Sequence, residues 1–211
     1  MGVTERKERE RAQRQAAILA AAEKIFGEKG YDASTMNDVA EAAELAKGTL
    51  YLYYQNKEDL CCALNAKGMD IMMKMFRKAI VKPPKGIDKI RAIGEAFFEF
   101  ARRYPLYAKL LMDYAVKNSD DENCTPYEKN CVELGLSTIG FFVEVIRGGI
   151  EDGSVSKKTD PLKTAFLLWS SSHGLALLLS TKGVMMEQQL GIKKKIFLDY
   201  YFDFMETAMK K

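Results

Sequence analysis

The chain is short of the residues from which most catalytic and metal sites are made. Its 211 residues include one histidine, His173, one tryptophan, Trp169, and five prolines. Four cysteines, Cys61, Cys62, Cys124 and Cys131, form no C-x-x-C pair and have no histidines at zinc-finger spacing. There is no G-x-S-x-G elbow, no Walker loop, no G-x-G-x-x-G and no paired set of metal ligands. An enzyme is therefore not expected, and no catalytic residue, metal or cofactor is assigned. Reduced thiols fit a cytoplasmic protein. The N-terminus is charged and lacks an apolar h-region, so no secretory signal is read. One run without formal charge, Thr164 to Thr181, approaches spanning length. Ser170, Ser171, Ser172, His173 and Gly174 sit in its middle, where hydrocarbon penalises them most, and it reads as a buried helix rather than a membrane span.

What is present is the composition of a globular protein, 47% hydrophobic and 29% charged. A net charge of +3 is too small to argue for a nucleic-acid partner, so the distribution of charge has to decide. Period-2 alternation is not sustained anywhere, and the spacing is helical throughout. Ile18, Leu19, Ala22, Ile25 and Phe26 mark a first helix from about Thr4 to Glu28, with Gly30 as its stop. Thr35 and Asp38 cap a short helix to about Ala43, and a second short one follows over about Lys47 to Tyr53. Asn56 caps a longer helix that ends near Pro83-Pro84-Lys85-Gly86. About five more are expected: one over Asp88 to Tyr104, one opened by Pro105, one by Thr125-Pro126-Tyr127-Glu128, one by Asp160-Pro161 with Gly183 near its end, and a last one from about Ile192. A polar loop lies between Asn118 and Cys124.

Two short helices joined by a tight turn, with a third upstream, are the geometry of a helix-turn-helix, whose second helix enters the major groove of DNA. The residue types suit that task. Lys47 and Lys57 offer charge to phosphates, Thr49, Tyr51 and Tyr53 offer hydroxyl donors, and Gly48 lets the backbone approach the duplex. No acid lies between Leu45 and Lys57, although acids are frequent on both sides. The head is not basic as a whole: nine Lys/Arg stand against eleven Asp/Glu from Met1 to Leu60. Affinity must come from local placement, and the leading run of Arg6, Lys7, Arg9, Arg11 and Arg14, laced with Glu5, Glu8 and Glu10, also reads as a solvated helix face.

From Gln15 to Leu64 the chain resembles the TetR family of transcriptional regulators. The stretches that carry the resemblance are Ile18 to Ala22 through Phe26, Gly30-Tyr31, Ser34-Thr35-Met36, Asp38-Val39-Ala40, Lys47 to Tyr51, and Asn56 to Leu60. The resemblance implies an all-α protein: an N-terminal three-helix helix-turn-helix head joined to a larger C-terminal helical bundle that dimerises. Residues 1–56 would be the DNA-binding domain and 57–211 the ligand-binding and dimerisation domain. By position it makes Thr35, Lys47, Gly48, Thr49, Tyr51, Tyr53 and Lys57 DNA contacts, and Leu45, Leu50, Val39 and Ala40 packing residues of the head. It implies a cytoplasmic homodimer on a pseudo-palindromic operator. Repression, with release by a small hydrophobic or amphipathic effector, is the family's usual mode. Glu44 stands where the family usually has glycine and Ala46 where it often has serine; a left-handed Glu44 would cost on the order of 1 kcal/mol.

Aromatic and apolar residues recur in the C-terminal part. Phe97, Phe100, Tyr107, Leu111, Tyr114, Phe141, Phe142, Trp169 and His173 are candidates for an effector pocket, although residues at helical spacing are more often core than pocket. His173 reads as a buried histidine, an interface residue or a pocket donor. The helix from Leu162 to Leu179 is apolar nearly all round, and the last helix has a broad aromatic face. Leu175, Leu178, Phe197, Tyr200, Tyr201 and Phe204 are accordingly expected in a four-helix dimer interface.

Overall fold

The computed structural model describes residues 3–113 and 124–210, and among the described residues there are nine helices and no strand. They are α1 (Val3–Lys29), α2 (Met36–Ala42), α3 (Lys47–Tyr51), α4 (Lys57–Ala79), α5 (Gly86–Arg103), α6 (Pro105–Asp113), α7 (Pro126–Glu151), α8 (Pro161–Leu190) and α9 (Lys194–Lys210). Tyr114 and the loop expected from Asn118, Cys124 apart, lie outside the described residues. No helix among the described residues is long and apolar enough to cross a membrane.

Four helix starts are closed by neighbours in sequence. Thr35 Oγ1 accepts from the Asp38 N–H while Asp38 accepts from the Thr35 N–H, which completes a capping box at α2. Asn56 Oδ1 accepts from the Asp59 N–H at 2.7 Å to open α4. Thr125 and Glu128 exchange the same pair of bonds at α7, and Asp160 accepts from the Lys163 N–H at α8. Each of these caps is local.

The start of α5 is different. Lys85 at its N-cap makes no side-chain bond. Its first donors are met from more than sixty residues away: the Gly86 N–H reaches Asp152 Oδ2 at 2.6 Å and the Ile87 N–H reaches Ser154 Oγ at 3.0 Å. Asp152 Oδ1 also accepts from the Ser154 N–H, so the turn after α7 is shaped to present both acceptors. The Ser154 hydroxyl first, then these backbone N–H groups, hold the Asp152 carboxyl below the usual carboxylate range. The contact demands glycine, because a Cβ on Gly86 would overlap the backbone of Gly149.

Two helices end elsewhere than the spacing predicts. α8 continues past Gly183 to Leu190, and Gly191 (φ 67°) is the residue that takes the left-handed conformation after it. α3 stops at Tyr51, because the chain turns there to bury Tyr54 against the ring of Tyr127 at 4.9 Å.

The chain divides into two compact units, Met1–Met69 with Leu106–Glu133 and Asp70–Pro105 with Leu134–Lys211, so the division falls inside α4 and inside α7. The first unit buries Ile18, Phe26, Val39, Ala40, Leu50 and Leu60, with Leu45 only half-buried. In the second, Ile90 and Leu168 bridge two clusters, one of Ile87, Val155 and Met209 and one of Val143, Ile146 and Ala165.

Gly86→Ala should cost about 1–3 kcal/mol of unfolding free energy in a denaturant titration, because backbone cannot yield as a side chain does. Gly27→Ala, where an added Cβ meets nothing within 4 Å, should instead gain up to about 1 kcal/mol of helix propensity.

Candidate functional site

In the first unit α2 ends in a left-handed turn. Leu45 donates to the Ala40 carbonyl and Glu44 to that of Glu41, a Schellman pattern with Glu44 at φ 55° in the place glycine usually takes. The strain expected there is present, and Ala46 offers α3 no side-chain cap. α3 is therefore a single turn and a half, about 7.5 Å long. Leu50 anchors it from below, fully buried, while Lys47, Gly48, Tyr51 and Leu52 are exposed and Thr49 is half-buried. Lys47 Nζ sits 5.9 Å from the Tyr51 ring centre. Leu52, 77% exposed, was not among the expected contacts; an apolar residue at that spacing reads as core.

Three expected DNA contacts are placed differently. Thr35 gives its hydroxyl proton to Asp38 Oδ2 at 2.7 Å, so it serves the cap of α2. Tyr53 lies past the end of α3, and its carbonyl accepts the Tyr127 hydroxyl at 3.2 Å. Lys57 is turned inward: Nζ donates to the carbonyls of Tyr31 (2.9 Å), Asp32 (3.3 Å) and Ser34 (3.1 Å), 4.3 Å over the Tyr31 ring. An ammonium has three donors, and all three are used within the head. Lys57 clamps the α1–α2 turn to the first turn of α4. Lys57→Met should accordingly lower the unfolding free energy of DNA-free protein by about 1–3 kcal/mol and leave the salt slope of DNA binding unchanged. A slope reduced by about one ion with stability intact would return this lysine to a phosphate.

The second unit holds a cavity between α5, α7, α8 and α9. Ile93, Phe97, Phe142, Leu168, Trp169, Phe202, Met205 and Met209 line it, with Arg91, Ser172, His173, Tyr201 and Glu206 as its polar members. The space open to water centres is about 40 Å³, where one water needs roughly 10–15 Å³. Of the candidate pocket residues, Phe97, Phe142, Trp169 and His173 are brought together, with ring centres of His173 4.2 Å from Trp169 and 4.8 Å from Phe97. The others are not. Phe100 is fully buried beside Tyr104. Phe141 lines a separate depression with Ile80 and Lys89. Tyr107 packs on Gly68 in the first unit, to which Leu111 also belongs. Gly94, Arg91 and the Tyr201–Ser171–Ser172 hydroxyl group escaped the sequence reading; a glycine and an arginine inside the apolar stripe of α5 were the available signal.

Among the expected interface residues, Tyr200 (66%), Phe204 (60%) and Leu178 are exposed. Phe197 is partly covered. Leu175 is buried within the chain and Tyr201 faces the cavity, so neither belongs to an outer face. Phe166, Leu167, Leu177 and Ile196 extend the exposed apolar surface of α8 and α9.

Burial pushes the pKa of His173 below its ordinary 6.5, partly offset by the hydrogen bond to the Trp169 carbonyl. A depressed histidine lets the unfolded chain bind the extra proton first. Stability present above 6.5 is therefore lost as pH falls below it toward the folded value. Chemical denaturation of wild type and His173→Phe across this window should show a decline in the first that is weaker in the second; identical profiles would show that His173 is unperturbed.

A short exposed helix presenting a cation, hydroxyls and an open glycine, held by two supporting helices, defines a helix-turn-helix DNA-binding regulator. Residues 18–64 match the family described as bacterial regulatory proteins, tetR family, and residues 90–191 match the tetracyclin repressor-like C-terminal domain. The chain belongs to the TetR family and is a transcriptional regulator, not an enzyme. It is 27% identical over 155 residues to the uncharacterized HTH-type transcriptional regulator YhgD of Bacillus subtilis, covering 74% of this chain and 78% of that protein. In fold it is similar to the transcriptional regulator FadR from Bacillus subtilis in complex with stearoyl-CoA, with TM-score 0.70, 17% identity, and coverage of 92% of this chain and 99% of that one. It is also similar to AibR in complex with isovaleryl coenzyme A and operator DNA, with TM-score 0.64, 19% identity, and coverage of 90% and 97%.

Proposed function

We propose that the chain is a cytoplasmic, homodimeric repressor, released from a pseudo-palindromic operator when an amphipathic effector of the acyl-CoA kind places its apolar part in the α5/α7/α8/α9 cavity. The observation that carries the reading is the pairing of an exposed, acid-free α3 with an apolar cavity elsewhere in the chain. DNA reading falls to residues 1–56, effector binding and dimerisation to 57–211. Lys47 meets phosphate, Gly48 allows close approach, and Thr49 and Tyr51 reach base edges, with Leu52 beside them for a thymine methyl. The exposed faces of α8 and α9 around Leu178, Tyr200 and Phe204 pair with a second copy, which sets two α3 helices roughly 35 Å apart.

The cavity is too small for an acyl chain as it stands, so effector binding and a wider cavity are one event. That is the requirement for release: the ligand must favour the opened state, by about 1.4 kcal/mol for each tenfold loss of operator affinity. α7 is the proposed carrier, because Phe142 lines the cavity and Tyr127, on the same helix, holds the Tyr53 carbonyl just after α3.

Selection of binding sites from random duplex DNA with the full-length protein tests the reading. An inverted repeat with half-site centres about 10 base pairs apart should be enriched, and stearoyl-CoA or isovaleryl-CoA should release the selected duplex. Lys47→Ala should flatten the salt slope by about one ion, and Tyr51→Ala should relax preference at one or two positions. Enrichment of no repeat would sink the operator reading. Retention of DNA at saturating levels of both thioesters would sink the effector class.

A further inference from the structure

Most polar groups lining the cavity are spent on one another. The Tyr201 hydroxyl shares hydrogen bonds with Ser171 (2.8 Å) and Ser172 (3.1 Å). Arg91 is paired with Glu95, Asp203 and Glu206. His173 stands apart. Its Nδ1 lies 2.9 Å from the Trp169 carbonyl oxygen, an atom that can only accept, so Nδ1 carries the proton. In the neutral ring, which burial favours, Nε2 then holds a lone pair. Nε2 is at the far side of the imidazole from the backbone of α8. It is sealed from solvent, and among the described residues it has no hydrogen-bond partner. Trp169 and Phe97 flank the ring and fix its position.

A buried acceptor in an apolar cavity sets a condition on whatever fills it. An alkyl chain alone leaves Nε2 unpaired. An ionised carboxylate offers acceptors only, and the Arg91 that could neutralise it is already shared among three acids. We propose that Nε2 of His173 selects the effector: the part that enters the cavity carries an O–H or N–H donor on an otherwise apolar body, and that donor bonds Nε2. The inference rests on the cavity being the effector site and adds to it the chemistry of the ligand's buried end. A hydroxylated chain or ring, or the amide next to an apolar tail, meets the condition.

Two probes isolate the donor: 1-decanol and decyl methyl ether, which share a chain and an oxygen and differ in the O–H. Trp169 is the single tryptophan, so its fluorescence reports the cavity directly, with calorimetry as a second readout. Wild type should bind the alcohol about 10- to 100-fold tighter than the ether. His173→Phe keeps a ring of similar shape without the acceptor, so the preference should vanish while the variant remains as stable as wild type at neutral pH or more so. Because His173 is the single histidine, nitrogen NMR of histidine-labelled protein reads its two ring nitrogens without ambiguity. Nδ1 should be protonated and Nε2 bare, and 1-decanol should shift Nε2. Equal affinity for both probes, a preference that survives in His173→Phe, or the opposite tautomer each overturn the proposal while leaving the effector site in place. Binding of neither probe overturns the cavity as a ligand site and this inference with it.

Discussion

Every helix leaves backbone donors unmade at its start and acceptors unmade at its end. A chain that is almost wholly helical faces that demand at each of its nine described elements. How the ends are closed decides the architecture here. Where the cap is local, it fixes a boundary and nothing more. Where it comes from a distance, it also fixes which elements lie together. Lys57 closes carbonyls of the α1–α2 turn and thereby ties α4 to the head. Asp152 and Ser154 close the start of α5 and tie it to the turn after α7, with Gly86 and Gly149 allowing the approach. A buried Asp59 does the same once, accepting from the Thr125 hydroxyl at 2.6 Å, while the bond it accepts from the Gln55 N–H is local.

That distinction explains which parts of the molecule were legible in sequence. The caps at Thr35, Asn56, Thr125 and Asp160 span three residues, so helix starts were readable to within a residue or two. Gly183 misled because a glycine with helical neighbours on both sides can be a close contact instead of a stop, and here it faces the Lys194 side chain. Lys57 misled for a related reason. A lysine next to a reading helix is read as a phosphate ligand when only its neighbours in sequence are known. Its carbonyl partners lie 23 to 26 residues back, and no local pattern announces them. In the second unit, periodicity marked apolar positions but could not sort cavity from core. Phe97 and Phe100 are three apart on one face of α5, yet one lines the cavity and the other is enclosed beside Tyr104.

The cavity itself illustrates why size and lining must be weighed together. Its lining is that of a binding site, apolar with a few polar groups. Its volume, about 40 Å³, is room for a few waters and no more. An apolar ligand therefore enters only as the helices around the gap part. The apolar contacts around so narrow a gap stabilise the state that keeps α5, α8 and α9 together. Opening it exposes Phe97, Trp169 and Met205, a cost that an apolar ligand offsets only by covering the same surface. The orphan nitrogen of His173 then adds a term that the ligand-free state lacks, because a donor there removes a penalty carried by the closed cavity. Affinity and conformational preference thus have a common origin in one group of side chains.

The charge balance of the head leads to a last constraint on DNA binding. With eleven acids against nine bases up to Leu60, and with Lys57 committed to carbonyls, a single head has little net attraction for a phosphate backbone. Lys29 is also engaged, paired with Asp38 at 2.6 Å, and Arg6 with Glu10 at 2.8 Å. What remains in the head is Lys47 on α3 and the exposed Lys7, Arg9, Arg11, Arg14 and Lys24 of α1. A few phosphate contacts per head give weak nonspecific binding and a shallow salt dependence. Tight binding from such heads requires two of them held at a fixed separation, so that the second contact is made at high effective concentration. The same arithmetic makes the complex easy to dissolve: a small change in spacing removes the second head, and the first cannot hold DNA alone.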